Sequence, residues 1–413
     1  MITRHTCPNG LRIVLEKIPT VRSVAVGVWI GAGSRYENEE NNGISHFLEH
    51  MLFKGTKERS ARQIAEAFDS IGGQVNAFTS KEYTCYYAKV MDNHVSHALN
   101  VLGDMFFNSI FDEAELEKEK NVVLEEIKMY EDTPDDIVHD LLGEAVYQKH
   151  PLGYPILGTE TTIRSFTREK LNRYVDEMYS PDQVVVSIAG NVDESFIKEV
   201  EALFGKYKNL SSAKEDLEVP TFHDQQLLKK KDTEQAHLCF GFNGLPLGDK
   251  DSYSLIVMNN VLGGSMSSRL FQEVREEKGL AYSVFSYHSA HKDSGMLTVY
   301  AGTGADQLDS LYETIQSTLS TFKGKGMTSK ELLYAKEQLK GNLMLGLEST
   351  NARMSRNGKN ELMLGYHRTM DEVIERIDGV TLDSVKEIAE NVLTDNFAVS
   401  LVSPDEIKPK SFA

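Results

Sequence analysis

Cysteine is scarce in this sequence. Only three occur, Cys7, Cys85 and Cys239, odd in number and far apart, so no disulfide framework is expected. No stretch supplies roughly 18 uninterrupted apolar residues, and the opening MITRHTCPNGLRIVLEKIP has neither an apolar core of signal-peptide length nor an Arg/Ser-rich amphipathic pattern. The expectation is therefore no membrane span and a reducing, cytoplasmic location. Positive charge is in deficit: 44 Lys and Arg face 62 Asp and Glu, a formal net charge of −18. Such a surface is a poor partner for nucleic acid or an anionic membrane, and it tolerates a basic or peptide-like one. The glycines of Gly302–Ala305 lack a phosphate-loop lysine in register, so nucleotide binding is not indicated.

Apolar material is ample. Hydrophobic residues make up 40% of the chain and charged residues 26%, which allows a sizeable core. At 413 residues the chain exceeds one ordinary domain of roughly 100–200 residues, so two large units are expected. β-branched runs such as LRIVLEKI and SVAVGVWIGAG read as strands. After Gly43 helical periodicity takes over, with Ser60 a candidate N-cap and Gly72-Gly73 a candidate stop. QVNAFTSKEYTCYYAKV reads as two strands around a polar turn near Ser80, and long helical segments follow up to about residue 148.

Mixed charge, Ser and Pro mark residues 211–231 as a linker, with Lys229–Lys231 a solvated basic run at its end. The same order of strands and helices returns beyond it. The predicted architecture is α+β, with two similar halves (1–210 and 232–413), each a largely antiparallel sheet covered by helices. The motif that follows has no counterpart in the second half.

Histidine is also sparse, 12 in all, yet HFLEHMLFKGT places His46 and His50 four apart with Glu49 between them. On a helix, positions i and i+4 share a face, so both imidazoles can converge on one ion, and Glu49 leans toward the same place. Two imidazoles suit zinc, which in a hydrolytic site takes three protein ligands and a water. Glu49 is then placed as general base toward that water. A third ligand is required from elsewhere. His94 and His97 have no acidic or Cys partner at suitable spacing and read as surface or packing residues; Cys85 reads as core.

The HFLEHMLFKGT stretch resembles the inverted-zincin motif of the pitrilysin/insulinase metallopeptidases, and FKGT is most similar to the branch of the mitochondrial processing peptidase beta subunit and its bacterial relatives. Further blocks carry the likeness along nearly the whole chain: GAGSRY, HPLGYPILGTETTI, YSPDQVVVSIAGNVD and GGSMSSRLFQEVREEKGLAYSV. Glu194 departs from the family, where His often follows the Asp.

The resemblance implies a zinc endopeptidase with one Zn2+ per chain. Its third ligand lies about 76 positions past the second histidine, which is Glu126 here, and Glu119 is an acid two helical turns earlier that sets the electrostatics of the site. Glu125 is expected to point elsewhere. The likeness also implies an edge strand at Asn76, Ala77, Phe78 and Thr79 that takes an extended peptide through main-chain hydrogen bonds. Arg275 and Tyr282 match a pair that grips the substrate backbone and stabilises the developing oxyanion.

Members with two domains per chain pair two chains into a clam-shaped chamber, so a homodimer is expected, with peptides or unfolded, presequence-like segments as substrates. Two other readings stand beside this one. A catalytically inert scaffold of the same fold is disfavoured by intact His46, Glu49, His50 and Glu126, and a maturation peptidase with one dedicated substrate is distinguished only by a substrate screen.

Overall fold

The structure is a computed structural model that describes residues 2–208 and 217–404. Its strands are β1 (Ile2–Thr6), β2 (Arg12–Lys17), β3 (Ser23–Ile30), β4 (Gln74–Thr79), β5 (Thr84–Met91), β6 (Val184–Gly190), β7 (Gln226–Lys230), β8 (Ala236–Asn243), β9 (Ser283–Ala290), β10 (Gly295–Thr303) and β11 (Phe397–Ser403). They form two sheets, ordered β1-β2-β6-β3-β5-β4 and β7-β11-β8-β10-β9. Only β2 with β6 and β7 with β11 pair in parallel; the other pairings are antiparallel. If β1 is set aside, both sheets visit their positions in the same chain order, including the parallel pair at one side. The α+β class and the two similar, largely antiparallel halves read from the sequence are therefore observed.

Both faces of the first sheet are covered, which explains why its central strands read as continuous apolar runs rather than alternating ones. Every residue of β6 is buried, as are seven of the eight in β3. One face packs against the helices at Ile44–Met51 and Val95–Asn108 within a large cluster that includes Phe47, Leu48, Leu99 and Leu102. The other face, with Val14, Ala25, Trp29, Cys85 and Val185, meets Met354 of the helix Thr350–Met363. That helix comes from the second half of the chain. The second sheet is treated alike: the first-half helix Pro134–Tyr147 sets Val138 and Leu142 against Cys239, Tyr300, Ala398 and Val402.

The compact units are accordingly interleaved. One comprises the described residues up to Ile127, from Tyr154 to Leu217 and from Leu345 to His367, and the other comprises the rest. The physical reason is that each sheet keeps a second apolar face needing a helix that its own contiguous half does not supply. The stretch expected as linker also differs in part. Residues 226–230 form the edge strand β7, paired with β11, and Lys229 and Lys230 thus lie on a sheet edge, where lysine discourages edge-to-edge pairing. Lys231 contacts Asp132 at 3.2 Å. Residues 211–216 of that stretch lie outside the described residues.

The helix Thr350–Met363 can sit close to β3 because each of the two elements carries a glycine where the other sets a large side chain. A Cβ at Gly358 would overlap the Trp29 indole, and one at Gly27 would overlap Met354 Sδ. Trp29 Nε1 donates to Met354 Sδ at 3.3 Å, so the indole has little freedom to retreat. Gly358→Ala should therefore lower stability by about 1–3 kcal/mol, the usual penalty for overpacking a filled core, despite the better helix propensity of alanine. Denaturant unfolding checks this, and an unchanged midpoint would refute the packing argument.

Candidate metal centre

The helix Ile44–Met51 is fixed at its start by backbone that only glycine adopts readily. Gly43 has φ of 91°, and a side chain there would meet Gly158 Cα and Leu157 O at 2.7 and 2.8 Å. Glu37, buried at 3% exposure, accepts hydrogen bonds from the amides of Gly43 (2.7 Å) and Ser45 (2.9 Å) and from Asn42 Nδ2 (3.0 Å). A carboxylate on the first amides of a helix satisfies donors that have no partner within the helix. Burial nevertheless raises the Glu37 pKa, with those bonds opposing it. Phe47, Leu48 and Met51 anchor the buried side of the helix.

His46 and His50 occupy one face of this helix, as their spacing requires. Facing them is the long helix Glu113–Glu131, which brings in Glu119 and Glu126. His46 Nε2 lies 3.7 Å from Glu126 Oε1 and His50 Nε2 lies 3.4 Å from Glu126 Oε2. The ligand atoms of these three residues all fall within 4.8 Å of one another. Two nitrogen or oxygen ligands of one tetrahedral zinc, each at roughly 2.0–2.1 Å, stand about 3.3 Å apart, so the three side chains fit the ion. Glu119 is 3% exposed; its Oε1 is 2.8 Å from His50 Nδ1 and its Oε2 is 2.6 Å from Lys54 Nζ. That bond orients the ring and leaves Nε2 for the metal side. Glu125, as expected, is exposed and outside the cluster.

The charges are strongly coupled. Burial, reinforced by the neighbouring His50 charge, lowers the His46 pKa, while Glu126 works the other way. Burial also works against a charged His50, but bonds to Glu119 and Glu126 outweigh it and its pKa rises. Glu126 is lowered, chiefly by its bond with His50. Glu119 is lowered against burial by His50 and Lys54. Two acids and two imidazoles therefore favour a positive charge at their centre, the condition a cation satisfies.

Glu49 behaves differently. Burial raises its pKa, while a 2.6 Å bond donated by Thr79 Oγ1 and the His50 charge pull it back. Thr79 ends β4, which pairs only with β5 and is thus the edge of the first sheet. Asn76, Ala77 and Phe78 precede it on the same strand, and the Ala77 amide donates to Asn76 Oδ1 at 2.8 Å. Arg275 and Tyr282 belong to the other compact unit. There Phe271–Glu277 forms a π-helical turn, and Gly279, at φ 60°, reverses the chain. The Arg275 guanidinium lies 4.4 Å from the Tyr282 ring centre and 4.8 Å from that of Phe271, and Tyr282 is 77% exposed. The two residues that the family resemblance pairs are in contact.

Three contributors escaped the sequence reading: Glu37 as helix cap, Lys54 as partner of Glu119, and Thr79 as partner of Glu49. Only Lys54 had a local signal, lying four residues after His50. His97 Nε2 bonds to Ala67 O at 3.0 Å, and Cys85 is fully buried, in keeping with packing roles.

Residues 12–160 match the family model for insulinase (peptidase family M16), and residues 165–339 match that for the peptidase M16 inactive domain. An uncharacterized zinc protease of Bacillus subtilis, YmxG, is 65% identical over 409 residues, covering 99% of this chain and 100% of that protein. The chain belongs to peptidase family M16. An uncharacterized zinc protease of Streptomyces coelicolor is 42% identical over 99% of this chain and 91% of its own length. Two solved structures share the fold of this M16 chain. A protease from Helicobacter pylori has a TM-score of 0.91 at 22% identity, over 98% of this chain and 99% of that one. A peptidase M16 inactive domain from Pseudomonas fluorescens has a TM-score of 0.92 at 19% identity, over 99% of each chain. Family and relatives together support a zinc metallopeptidase. Among the described residues, no helix is long and apolar enough to cross a membrane.

A pH prediction follows from Thr79. Its hydroxyl stabilises the charged form of Glu49, so Thr79→Val should raise the Glu49 pKa and move the acid limb of the kcat profile to higher pH. Coincident limbs in parent and variant would remove Thr79 from this role.

Proposed function

We propose that this M16 chain is a zinc endopeptidase of the processing-peptidase type, cleaving peptides or unfolded, presequence-like segments. The observation that carries the reading is a single cluster in which three ligands converge while Glu49, held by Thr79, stays beside them unspent as a ligand. His46, His50 and Glu126 would hold one catalytic zinc, which supplies Lewis-acid activation of water and of the scissile carbonyl. Glu119 keeps the His50 ring oriented and, with Lys54, balances its charge. Glu49 takes the proton of the attacking water and returns it to the leaving amine; its raised pKa suits both transfers.

The edge of β4 supports recognition of an extended peptide. The Ala77 amide is turned to its own Asn76 side chain rather than to β5, so rotation of Asn76 frees it for an incoming strand. Binding of this type reads backbone more than side-chain identity, in line with substrates that are unfolded rather than of one sequence. The net charge of −18 favours basic ones.

The reading includes a homodimer that closes a clam-shaped chamber, in which Arg275 and Tyr282 of one copy serve the metal centre of the other. An arginine held over a phenol presents a fixed positive charge beside an exposed hydroxyl, a donor set suited to an oxyanion. A cytoplasmic location belongs to the same reading, and Cys7, Cys85 and Cys239 are all free thiols. An inert scaffold of the same fold would have no need of a complete ligand set beside a half-buried, hydrogen-bonded glutamate.

Glu49→Gln should lower peptide turnover by about 10²–10⁴-fold and leave zinc content unchanged, because it removes the base and spares the ligands. Elemental analysis beside a cleavage assay decides it; undiminished hydrolysis would overturn the mechanism. Tyr282→Phe should lower kcat by roughly 10²-fold with little change in KM. Mixing the two inactive variants should restore part of the activity if the site is completed between copies, and no recovery on subunit exchange would refute that arrangement.

A further inference from the structure

A second group of metal-type ligands lies at the opposite side of the first sheet from β4, where β1 forms the other edge. A ring nitrogen of His5, Cys7 Sγ and a carboxylate oxygen of Glu201 all lie within 4.8 Å of one another. Nothing in the hydrolytic mechanism uses them. His5 stands on β1, Cys7 two residues further along on the same side of the chain, and Glu201 on the helix Phe196–Phe204.

The three positions are held by backbone rather than by chance approach of long side chains. Cys7-Pro8-Asn9-Gly10 is a tight turn closed by hydrogen bonds from Gly10 N to Cys7 O (2.9 Å) and from Cys7 N to Leu11 O (2.8 Å), with Gly10 at φ 94°. Asn9 Nδ2 then donates to the carbonyls of Phe204 and Tyr207, both at 3.0 Å, which fastens this turn to the end of the helix that carries Glu201. The backbones that carry Cys7 and Glu201 are thereby held near each other before any ion binds.

The side chains themselves look unfinished. His5 Nε2 is sealed from water yet has no hydrogen-bond partner among the described residues, although Glu201 Oε2 is only 3.2 Å away. The two atoms are close enough to form an ion pair but make no hydrogen bond with each other. Their separation matches the edge of about 3.3 Å between nitrogen and oxygen ligands of one tetrahedral zinc. The buried thiol of Cys7, 3% exposed, supplies the third corner. An imidazole, a thiolate and a carboxylate form a donor set for zinc or a similar borderline ion, not for magnesium or calcium.

We propose that His5, Cys7 and Glu201 bind a divalent, zinc-like ion that ties the edge strand β1 to the helix Phe196–Phe204. The site is structural, distinct in its residues from the catalytic cluster, and does not depend on the proposed peptidase reaction. Its occupancy clamps an otherwise short edge strand and closes that side of the sheet.

Cobalt(II) in place of zinc tests this on the full chain, because thiolate ligation gives a near-ultraviolet charge-transfer band that a site of two histidines and a glutamate does not. The parent should bind about two cobalt ions per chain and show the band, whereas Cys7→Ser should bind about one and lack it. Glu201→Gln, a half-exposed change that leaves the thiol in place, should weaken the band and the second binding event. His50→Ala should keep the band while losing the other ion. A saturated parent without the band, or a band that survives in Cys7→Ser, overturns the proposal.

Discussion

The His50 imidazole is held from two sides by carboxylates of one helix, and the metal centre depends on that grip. Nδ1 is engaged by Glu119 at 2.8 Å, and Nε2 faces Glu126 at 3.4 Å. Because Glu119 and Glu126 are seven residues apart on the helix Glu113–Glu131, they stack two turns apart on a single face, and both reach the same ring. One acid engages Nδ1 and orients the ring, while the other closes the cluster with His46 and His50 that could hold a metal ion. His46 is brought in by the four-residue spacing on its own helix, so two helices in one relative position suffice to build the cluster.

That relative position is a product of burial. The helix Ile44–Met51 is pressed against the sheet by Phe47, Leu48 and Met51 and capped by the enclosed carboxylate of Glu37. The same packing puts the end of β4 beside Glu49, so one threonine hydroxyl at the sheet edge stabilises the charged form of that glutamate. The edge strand β4 and Glu49 are thus joined through a single side chain, the link on which the proposed pairing of substrate strand and base rests. Rigid elements hold a catalytic group to tighter tolerances than loops do.

The interleaved helices show a different constraint. Each sheet buries both faces, and each takes one covering helix from the opposite half of the chain. Apolar residues such as Trp29 and Val185 in one sheet, or Cys239 and Val402 in the other, would face water without it. Neither contiguous half is therefore a complete folding unit, although both follow one strand order.

Much of this was readable from residue order alone. The period-four pair His46 and His50, the acid between them, the β-branched runs of β2, β3 and β6, and the strand-turn-strand pattern that became β4 and β5 are local, since they depend on side-chain type at fixed spacing. Which of many glutamates would join the two imidazoles was legible only through likeness to a family, because a helix rich in acids offers Glu119, Glu125 and Glu126 on equal local terms. The edge strands β1 and β7, the crossing of helices 134–147 and 350–363, and the partnerships of Glu37, Lys54 and Thr79 were decided by tertiary structure. They join residues distant in the chain, and no local spacing encodes which buried polar group will find which partner; the burial of both sheet faces does.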